Sequence, residues 1–363
     1  MAGRFFGGMG IGACSMLVPM YVAEIAPRGL RGRLGTLWQF LIVLGIMVSY
    51  WVDYGCLRHV PVGNTQWRIP LGIQIAPGGI LMIGMAFLPE SLRWLALRGR
   101  KDEVLKNLSK LRDLPTDHPD IIQELQEIED AAEMDRQASS GKWTELFERE
   151  NLHRLFLGIM LQIFQQWTGS NAINYYGPDI FRSIGLSSND TEILATGVYG
   201  AVKVAFVFIT FFFVDNRMGR RQTLMIGSVI QMVSFFVLGG MILSLEKDNG
   251  GVLGTNATVG AKGYVAMVCI YIFAIGYEIS WGPIVWIVCS EIYPTRVRAI
   301  SLSLTTAFNW AMNATLAKVV PIMMNDISYG TYFFFGAMSV VMGSFAYLFL
   351  PETRGRSLEE INE

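Results

Sequence analysis

Three amide side chains stand close together inside an otherwise apolar stretch of the sequence. Gln165, Gln166 and Asn171 are five and six residues apart, which predicts neighbouring positions on a helix surface. Uncompensated amides are costly in a bilayer, so these side chains must face a wet cavity or a polar partner. An amide both donates and accepts hydrogen bonds, as a sugar hydroxyl does, so the cluster suits polyol recognition. The alternative interpretation is that the amides hold neighbouring helices together.

Two charged side chains also lie inside apolar stretches. Lys203 follows Tyr199-Gly-Ala-Val, and Glu278 is the acid that lies well inside the apolar spans of the second half. A charge within the membrane is costly and requires a partner or a water-lined cavity. Two hypotheses remain open: Lys203 binds the carboxylate of an acidic solute, or it forms an internal ion pair with Glu278.

A repeated element predicts that the chain consists of two related halves. Each copy has Glu-Ile-x-Pro with Arg seven residues after the Glu: Glu24-Ile-Ala-Pro27 with Arg31, and Glu291-Ile-Tyr-Pro294 with Arg298. About two apolar spans later, each copy is followed by a second repeated motif, Pro89-Glu90-Ser91 in the first half and Pro351-Glu352-Thr353 in the second. Matched elements at this distance are typical of transporters built from two bundles.

The composition predicts a polytopic, all-α membrane protein. Charged residues make up 16% of the 363 residues, against about 25% in soluble domains. Nine apolar stretches are long enough to cross a bilayer as helices. They are 4–23, 34–53, 69–88, 153–174, 193–214, 222–244, 263–289, 299–323 and 330–350. Lys and Arg cluster after alternate spans, which places the C-terminus in the cytosol and the N-terminus outside.

The same pattern divides the chain into four regions. Residues 1–90 form a partial N-terminal bundle and 151–351 a six-helix C-terminal bundle. Between them, 91–150 is a charged segment with apolar residues at helical spacing, so we expect amphipathic helices in the cytosol. Residues 352–363 form a short cytosolic tail. If the halves match, the first lacks three spans, on the order of 100 residues.

Several functional classes are disfavoured. The net charge of −1 gives no indication of nucleic-acid binding, and the four Cys lack metal-site spacing. The three His neighbour no plausible nucleophile or metal set, so we expect no metal, no cofactor and no enzymatic activity. The bilayer itself is an expected partner.

Four sequence motifs resemble those of the sugar porter family of the major facilitator superfamily. They are Gln165-Gln166-Trp-Thr-Gly169-Ser-Asn171-Ala-Ile-Asn-Tyr175-Tyr176, Asp215-Asn-Arg-Met-Gly219-Arg220-Arg221, Pro351-Glu352-Thr353-Arg354-Gly355-Arg356 and the repeated Glu element. Tyr50-Trp-Val-Asp-Tyr54-Gly55 and Gln66-Trp67-Arg68-Ile-Pro70 are similar to the fungal branch of hexose–proton symporters and quinate permeases. Members have twelve spans, and this chain resembles spans four to twelve.

The resemblance implies a set of substrate-binding residues beyond the first amide cluster. Gln39 matches a ligand of the first half. Trp286, Asn309, Trp310 and Asn313 match ligands of the second half. Asn309 and Asn313, four residues apart, share a helix face. An aromatic ring packs on the apolar face of a sugar ring, although ordinary core packing also explains the two tryptophans.

The resemblance also implies gates and a coupling residue. Tyr175 and Tyr176 match an outer gate, with interfacial aromatics as the alternative. Six side chains are expected to form a cytosolic latch that opens as access alternates, unless they only set the topology. They are Glu24, Arg31, Arg220, Arg221, Glu291 and Arg298. Arg4 matches an arginine that faces an acid in the first span of proton-coupled relatives.

These features together imply secondary active transport of a hexose-like monosaccharide by alternating access. Proton symport across the plasma membrane is the expected mode. A permease for quinate or a sugar acid is one alternative. A nutrient sensor of the same fold that does not transport, or a truncated product without function, are the others.

Overall fold

The computed structural model describes residues 2–27, 30–137, 142–184, 189–213, 219–248 and 260–352. Within these ranges every regular element is a helix, as the composition predicts. The helices are α1 Ala2–Ile25, α2 Arg31–His59, α3 Asn64–Ile73, α4 Ile75–Met85, α5 Leu92–Leu97, α6 Lys101–Arg112, α7 Pro119–Gln137, α8 Lys142–Leu146, α9 Arg149–Trp167, α10 Ser170–Ser183, α11 Asn189–Phe213, α12 Arg220–Asp248, α13 Ala261–Ile279, α14 Ile284–Glu291, α15 Thr295–Asp326 and α16 Gly330–Phe349.

Seven helical segments in the described ranges are long and apolar enough to cross a membrane. They are Ala2–Ile25, Gly32–His59, Asn64–Met85, Ala195–Phe212, Arg220–Asp248, Ala261–Glu291 and Gly330–Phe349. The other two predicted spans, 153–174 and 299–323, also fall on helices. Those helices are less apolar because they carry charged residues in their N-terminal turns as well as the amide side chains of the candidate site. The count of nine spans therefore stays a prediction.

Two predicted spans are interrupted rather than continuous. The span predicted at 153–174 breaks at Gly169, whose φ of 82° lies in the left-handed region that glycine adopts without strain. The span predicted at 263–289 breaks between α13 and α14, where Ser280 has φ −133° and ψ −90° and Pro283 follows. Hydropathy averages over such breaks and therefore predicted single helices.

The second half holds the main core. Its helices α9 to α16 contribute most of one continuous cluster of buried apolar side chains, which includes Phe235, Phe273 and Phe335. Close packing of α12 on α13 depends on Gly227, because a Cβ there would lie 1.7 Å from Ser280 Oγ. Small residues let membrane helices approach in this way.

The first-half helices are packed on one side only. All residues from 71 to 88 are at least partly exposed, and α1 exposes most of its N-terminal half. Among them α2 makes the most extensive contact, along α11 of the second half, and its other side is exposed. The contact between the halves is therefore carried largely by α2.

The segment after residue 91 forms a small helical cluster of its own. Leu95 of α5, Val104 and Leu108 of α6 and Ile121 of α7 are fully buried together. Arg112 ties the cluster to the membrane helices, because its guanidinium donates to Ile25 O of α1 at 3.0 Å. The boundaries of the four regions, including the tail mostly beyond the described residues, stay predictions.

Candidate functional site

The amide cluster is assembled from α9 and α15. Asn309 Nδ2 donates to Gln162 Oε1 at 2.6 Å and to Gln165 Oε1 at 2.9 Å. Gln166 Nε2 donates to Asn309 Oδ1 at 2.8 Å. All four side chains are buried, and each hydrogen bond joins one helix to the other. The cluster is therefore a polar seam inside an apolar bundle, satisfied by its own members.

The break at Gly169 corrects the prediction that all three amides share one helix surface. Asn171 belongs to α10, and its Nδ2 donates to Gln166 Oε1 at 2.6 Å across the break. Asn313 Nδ2 donates to the same oxygen at 3.2 Å. Gln166 is thus the hub at which amides from α9, α10 and α15 meet.

The interruption between α13 and α14 supplies a second set of acceptors. Gln165 Nε2 donates to Trp281 O at 3.0 Å and to Gly282 O at 3.1 Å. Irregular backbone at membrane depth is tolerated only where such partners are present or where it lines a cavity. The amide seam of α9, α10 and α15 therefore extends to the backbone between α13 and α14.

Lys203 and Glu278 form an ion pair inside the protein. Lys203 Nζ lies 3.0 Å from Glu278 Oε1, and both side chains are at most 2% exposed. Gln39 of α2 donates to Glu278 Oε2 at 3.2 Å. Lys203 also donates to Asn174 Oδ1 at 3.3 Å, and Asn174 donates to Asn171 Oδ1 at the same distance. Of the two hypotheses for Lys203, this structure contains the internal pair.

The two candidate tryptophans have different environments. Trp286 of α14 is buried, and its ring meets that of Trp38 of α2 edge-on, with centroids 4.9 Å apart. Trp310 of α15 is 40% exposed. Trp286 therefore contacts the first half, whereas Trp310 leaves its ring available.

The candidate outer-gate tyrosines both bond to α15. Tyr175 OH donates to Asn313 Oδ1 at 3.1 Å, and Tyr176 OH donates to Ala317 O at 2.7 Å. They lie within α10 rather than at its end, because α10 continues to Ser183 past a kink at Tyr176. The kink lies next to Pro178, which cannot donate a helical hydrogen bond.

The candidate latch residues of the second half are largely buried. Arg220 Nη2 lies 3.4 Å from Glu291 Oε1, with both side chains about 5–6% exposed. Arg298 donates through Nε and Nη2 to Tyr293 O at 3.2 and 3.0 Å. Arg221 donates to Tyr347 O and lies over the Tyr347 ring.

Glu352 joins this group, although the sequence analysis did not include it in the latch. Its two carboxylate oxygens accept from the backbone N–H groups of Arg220 and Arg221 at 2.8 and 3.2 Å. These are the first N–H groups of α12, where a carboxylate is favourable.

In the first half, Glu24 Oε2 accepts from Ser91 Oγ at 2.5 Å. The Arg31 side chain lies outside the described part of the structure. Arg4 is exposed, and the described contacts show it without an acid. Its predicted role in coupling stays a prediction, as do the roles of the other candidate residues.

Two members of the network were missed by sequence reasoning. Gln162 lies three residues before Gln165 and Asn174 three residues after Asn171, so helical spacing from the known amides could have found both. Among the described residues, no group of three His, Cys, Asp or Glu side chains could hold a metal ion.

Comparison with known proteins decides the family. A profile described as "Sugar (and other) transporter" matches residues 1–363. The chain belongs to this sugar transporter family. Curated relatives include a probable quinate permease of Aspergillus flavus, 34% identical over 99% of this chain and 67% of its own length. The quinate permease of Emericella nidulans is also 34% identical, over 99% of this chain and 68% of its own length.

Solved structures agree with this assignment. The sugar transporter superposes with a TM-score of 0.83 on the proton:xylose symporter XylE bound to 6-bromo-6-deoxy-D-glucose, at 28% identity over 99% of this chain and 72% of that one. The inward open conformation of XylE from E. coli gives a TM-score of 0.69, at 28% identity over 99% of this chain and 71% of that one. The expected major facilitator fold and the fungal permease resemblance are confirmed. The protein is a multi-pass membrane transporter and not an enzyme.

Proposed function

We propose that this sugar transporter carries a hexose-like monosaccharide by proton-coupled alternating access. The observation that carries the proposal is the uncharged amide seam around Gln166 and Asn309, with Asn313 at its edge. Each amide there presents both a donor and an acceptor, which matches the hydroxyls around a sugar ring. Exposed Trp310 on the same helix supplies an aromatic face for the apolar side of the ring.

The charge distribution favours a neutral solute. Lys203 is the cation closest to the seam in the described network, and Glu278 balances its charge at 3.0 Å. In the described state a negatively charged solute would add a third charge to a buried pair that is already neutral, which is costly. A neutral sugar leaves the charge of that state unchanged.

Alternating access is supported by the arrangement at the cytosolic ends. The buried Arg220–Glu291 pair and the contacts of Glu352 hold that side of the second half together. The chain superposes better on XylE bound to a glucose analogue than on the inward open XylE conformation. We therefore interpret the described structure as a state closed toward the cytosol, with the pairs separating when that side opens.

Quinate is the second candidate solute. The curated relatives at 34–35% identity are named as quinate permeases, and quinate also offers several hydroxyls to the amide seam. Its carboxylate would need Lys203 to be free of Glu278. A transport-incompetent sensor and a truncated product without function remain the rivals outside the transporter class.

Counterflow in proteoliposomes separates these possibilities. Purified protein is reconstituted, vesicles are loaded with unlabelled solute, and entry of labelled glucose or labelled quinate is followed. We expect glucose counterflow that excess quinate does not inhibit. Quinate counterflow without glucose counterflow would replace the first candidate by the second, and counterflow of neither would refute transport of both. A fluorescent fusion tests the proposed location in the plasma membrane.

A further inference from the structure

The Lys203–Glu278 pair lies where three parts of the protein meet. Lys203 is near the middle of α11, and Glu278 is the penultimate residue of α13, just before the break between α13 and α14. Gln39 connects the pair to the first half at 3.2 Å, and Asn174 connects it to the amide seam at 3.3 Å. A change in the charge of either residue would therefore alter hydrogen bonds at the proposed solute site and at the contact between the halves.

Stability does not account for a pair in this position. Removing two charges from water costs about as much as their attraction returns, and apolar residues often replace such pairs without loss. Ionisable side chains inside a membrane domain are typical of ion and proton pathways. The pair is therefore a candidate for a reversible proton reaction.

We propose that Glu278 takes up and releases the proton that moves with the solute. Lys203 is the charged partner whose contacts change when Glu278 is protonated. The inference rests on the proposed function. In the uptake step one proton from the outer solution binds a carboxylate oxygen of Glu278, which becomes a neutral acid. The proton leaves to the cytosol from the same oxygen, and the ion pair forms again.

The groups around Glu278 allow both states. Lys203 and the Tyr199 hydroxyl face it from α11, Tyr277 from α13 and Gln39 from α2. When Glu278 is neutral, the Lys203 ammonium keeps its contact with Asn174 and lies 5.4 and 5.3 Å from the Tyr199 and Tyr277 ring centroids. Such rings stabilise a cation that has lost its counter-ion.

Protonation would also weaken the contact between the halves. Gln39 Nε2 donates to Glu278 Oε2, and hydrogen bonds to a carboxylate are stronger than those to a neutral acid. A neutral Glu278 therefore loosens the bond between α2 and α13. The same event strengthens the hold of Lys203 on Asn174 and, through it, on the seam. Proton uptake, solute binding and movement of the halves thus share one pair of residues.

Steady-state accumulation tests the proposal independently of transport rate. Proteoliposomes receive a gradient of one pH unit, acid outside, with the membrane potential clamped at zero, and take up whichever labelled solute shows wild-type counterflow. One proton per solute gives about tenfold accumulation in the wild type. We expect Glu278→Gln to exchange solute, at a reduced rate, and to accumulate none above the outside level.

A double variant and a control complete the design. Lys203→Asn with Glu278→Gln removes both charges, so it keeps the test valid where an unpaired Lys203 prevents folding. Asp248→Asn removes the acid of the exposed Lys262–Asp248 pair at 2.5 Å and should accumulate like the wild type.

The outcomes are separable. Exchange without accumulation in either Glu278 variant supports the inference. Accumulation in a Glu278 variant overturns it and directs attention to Arg4. Loss of exchange in both variants also overturns it, because the pair then serves solute binding or folding. A wild type that exchanges without accumulating refutes the coupling alone, and one that does not exchange refutes the proposed function.

Discussion

Replacing Gln166 by Leu is the sharpest test of the amide seam. The side chain is buried, and its oxygen accepts from Asn171 at 2.6 Å and from Asn313 at 3.2 Å. Its nitrogen donates to Asn309 Oδ1 at 2.8 Å. Leu has a similar size and no hydrogen-bonding group, so the change removes polarity while keeping most of the packing.

The expected magnitude follows from the hydrogen bonds of Gln166. For each of the three partner atoms, the structure describes one hydrogen bond, the one to Gln166. A neutral hydrogen bond contributes about 1 kcal/mol, so the three bonds within the seam stabilise the protein by about 3 kcal/mol and do not add to solute affinity. A solute hydroxyl that bonds the Gln166 amide in the wild type loses that one bond in the variant, so the half-saturating solute concentration should rise by about fivefold, since 1.4 kcal/mol is a factor of ten.

Counterflow over a range of solute concentrations measures this effect. We expect the half-saturating concentration of Gln166→Leu to rise while its maximal rate stays within about threefold of the wild type, because an interaction common to bound states is lost. Thr315→Val is the matched control. Thr315 is exposed on α15, and its hydroxyl bonds only its own helix at Ala311 O. An unchanged half-saturating concentration in Gln166→Leu would refute the seam as the solute site.

Two further predictions concern packing and gating. Gly227→Ala should lower the thermal unfolding temperature, because a Cβ would lie 1.7 Å from Ser280 Oγ and overpacking costs about 1–3 kcal/mol. Gly240→Ala on the same helix is the control, because a Cβ there meets open space and should leave the unfolding temperature unchanged. Equal effects of the two substitutions would contradict the packing argument. Glu291→Gln should weaken the buried pair with Arg220 and increase the distance between spin labels at the cytosolic ends of α1 and α15, measured by pulsed electron paramagnetic resonance. An unchanged distance distribution would argue against the latch.

The sequence predicted which polar side chains lie together better than it predicted the path of the backbone. Amides in an apolar run are visible without a structure, because the bilayer makes each of them costly. The breaks at Gly169 and after Ile279 were not predicted, since hydropathy reports which residues avoid water and not where a helix ends. Both breaks lie next to the amides, because exposed backbone groups require polar partners.

The pairing of Lys203 shows a different limit. Sequence reasoning named Glu278 as a possible partner because both charges lie in apolar spans and few other acids do. It could not choose between the partner and an acidic solute, since that depends on how α11 and α13 are packed. The 3.0 Å distance is a property of tertiary structure. The bonds to Gln39 and Asn174 are also tertiary, and they give the pair its connection to both halves.

The seam in its described state also predicts how tightly solute binds. Gln166, Asn309 and Asn313 already bond one another, so an entering sugar exchanges amide–amide bonds for amide–hydroxyl bonds. Such an exchange gives little net free energy, because each net bond is worth only about 1 kcal/mol. We therefore expect dissociation constants of the order of 1 mM, about −4 kcal/mol, rather than nanomolar values. Isothermal titration of the purified protein measures this constant, and nanomolar binding would contradict a self-satisfied seam. Weak binding suits a carrier, since a solute held tightly at the midpoint would not leave on the other side.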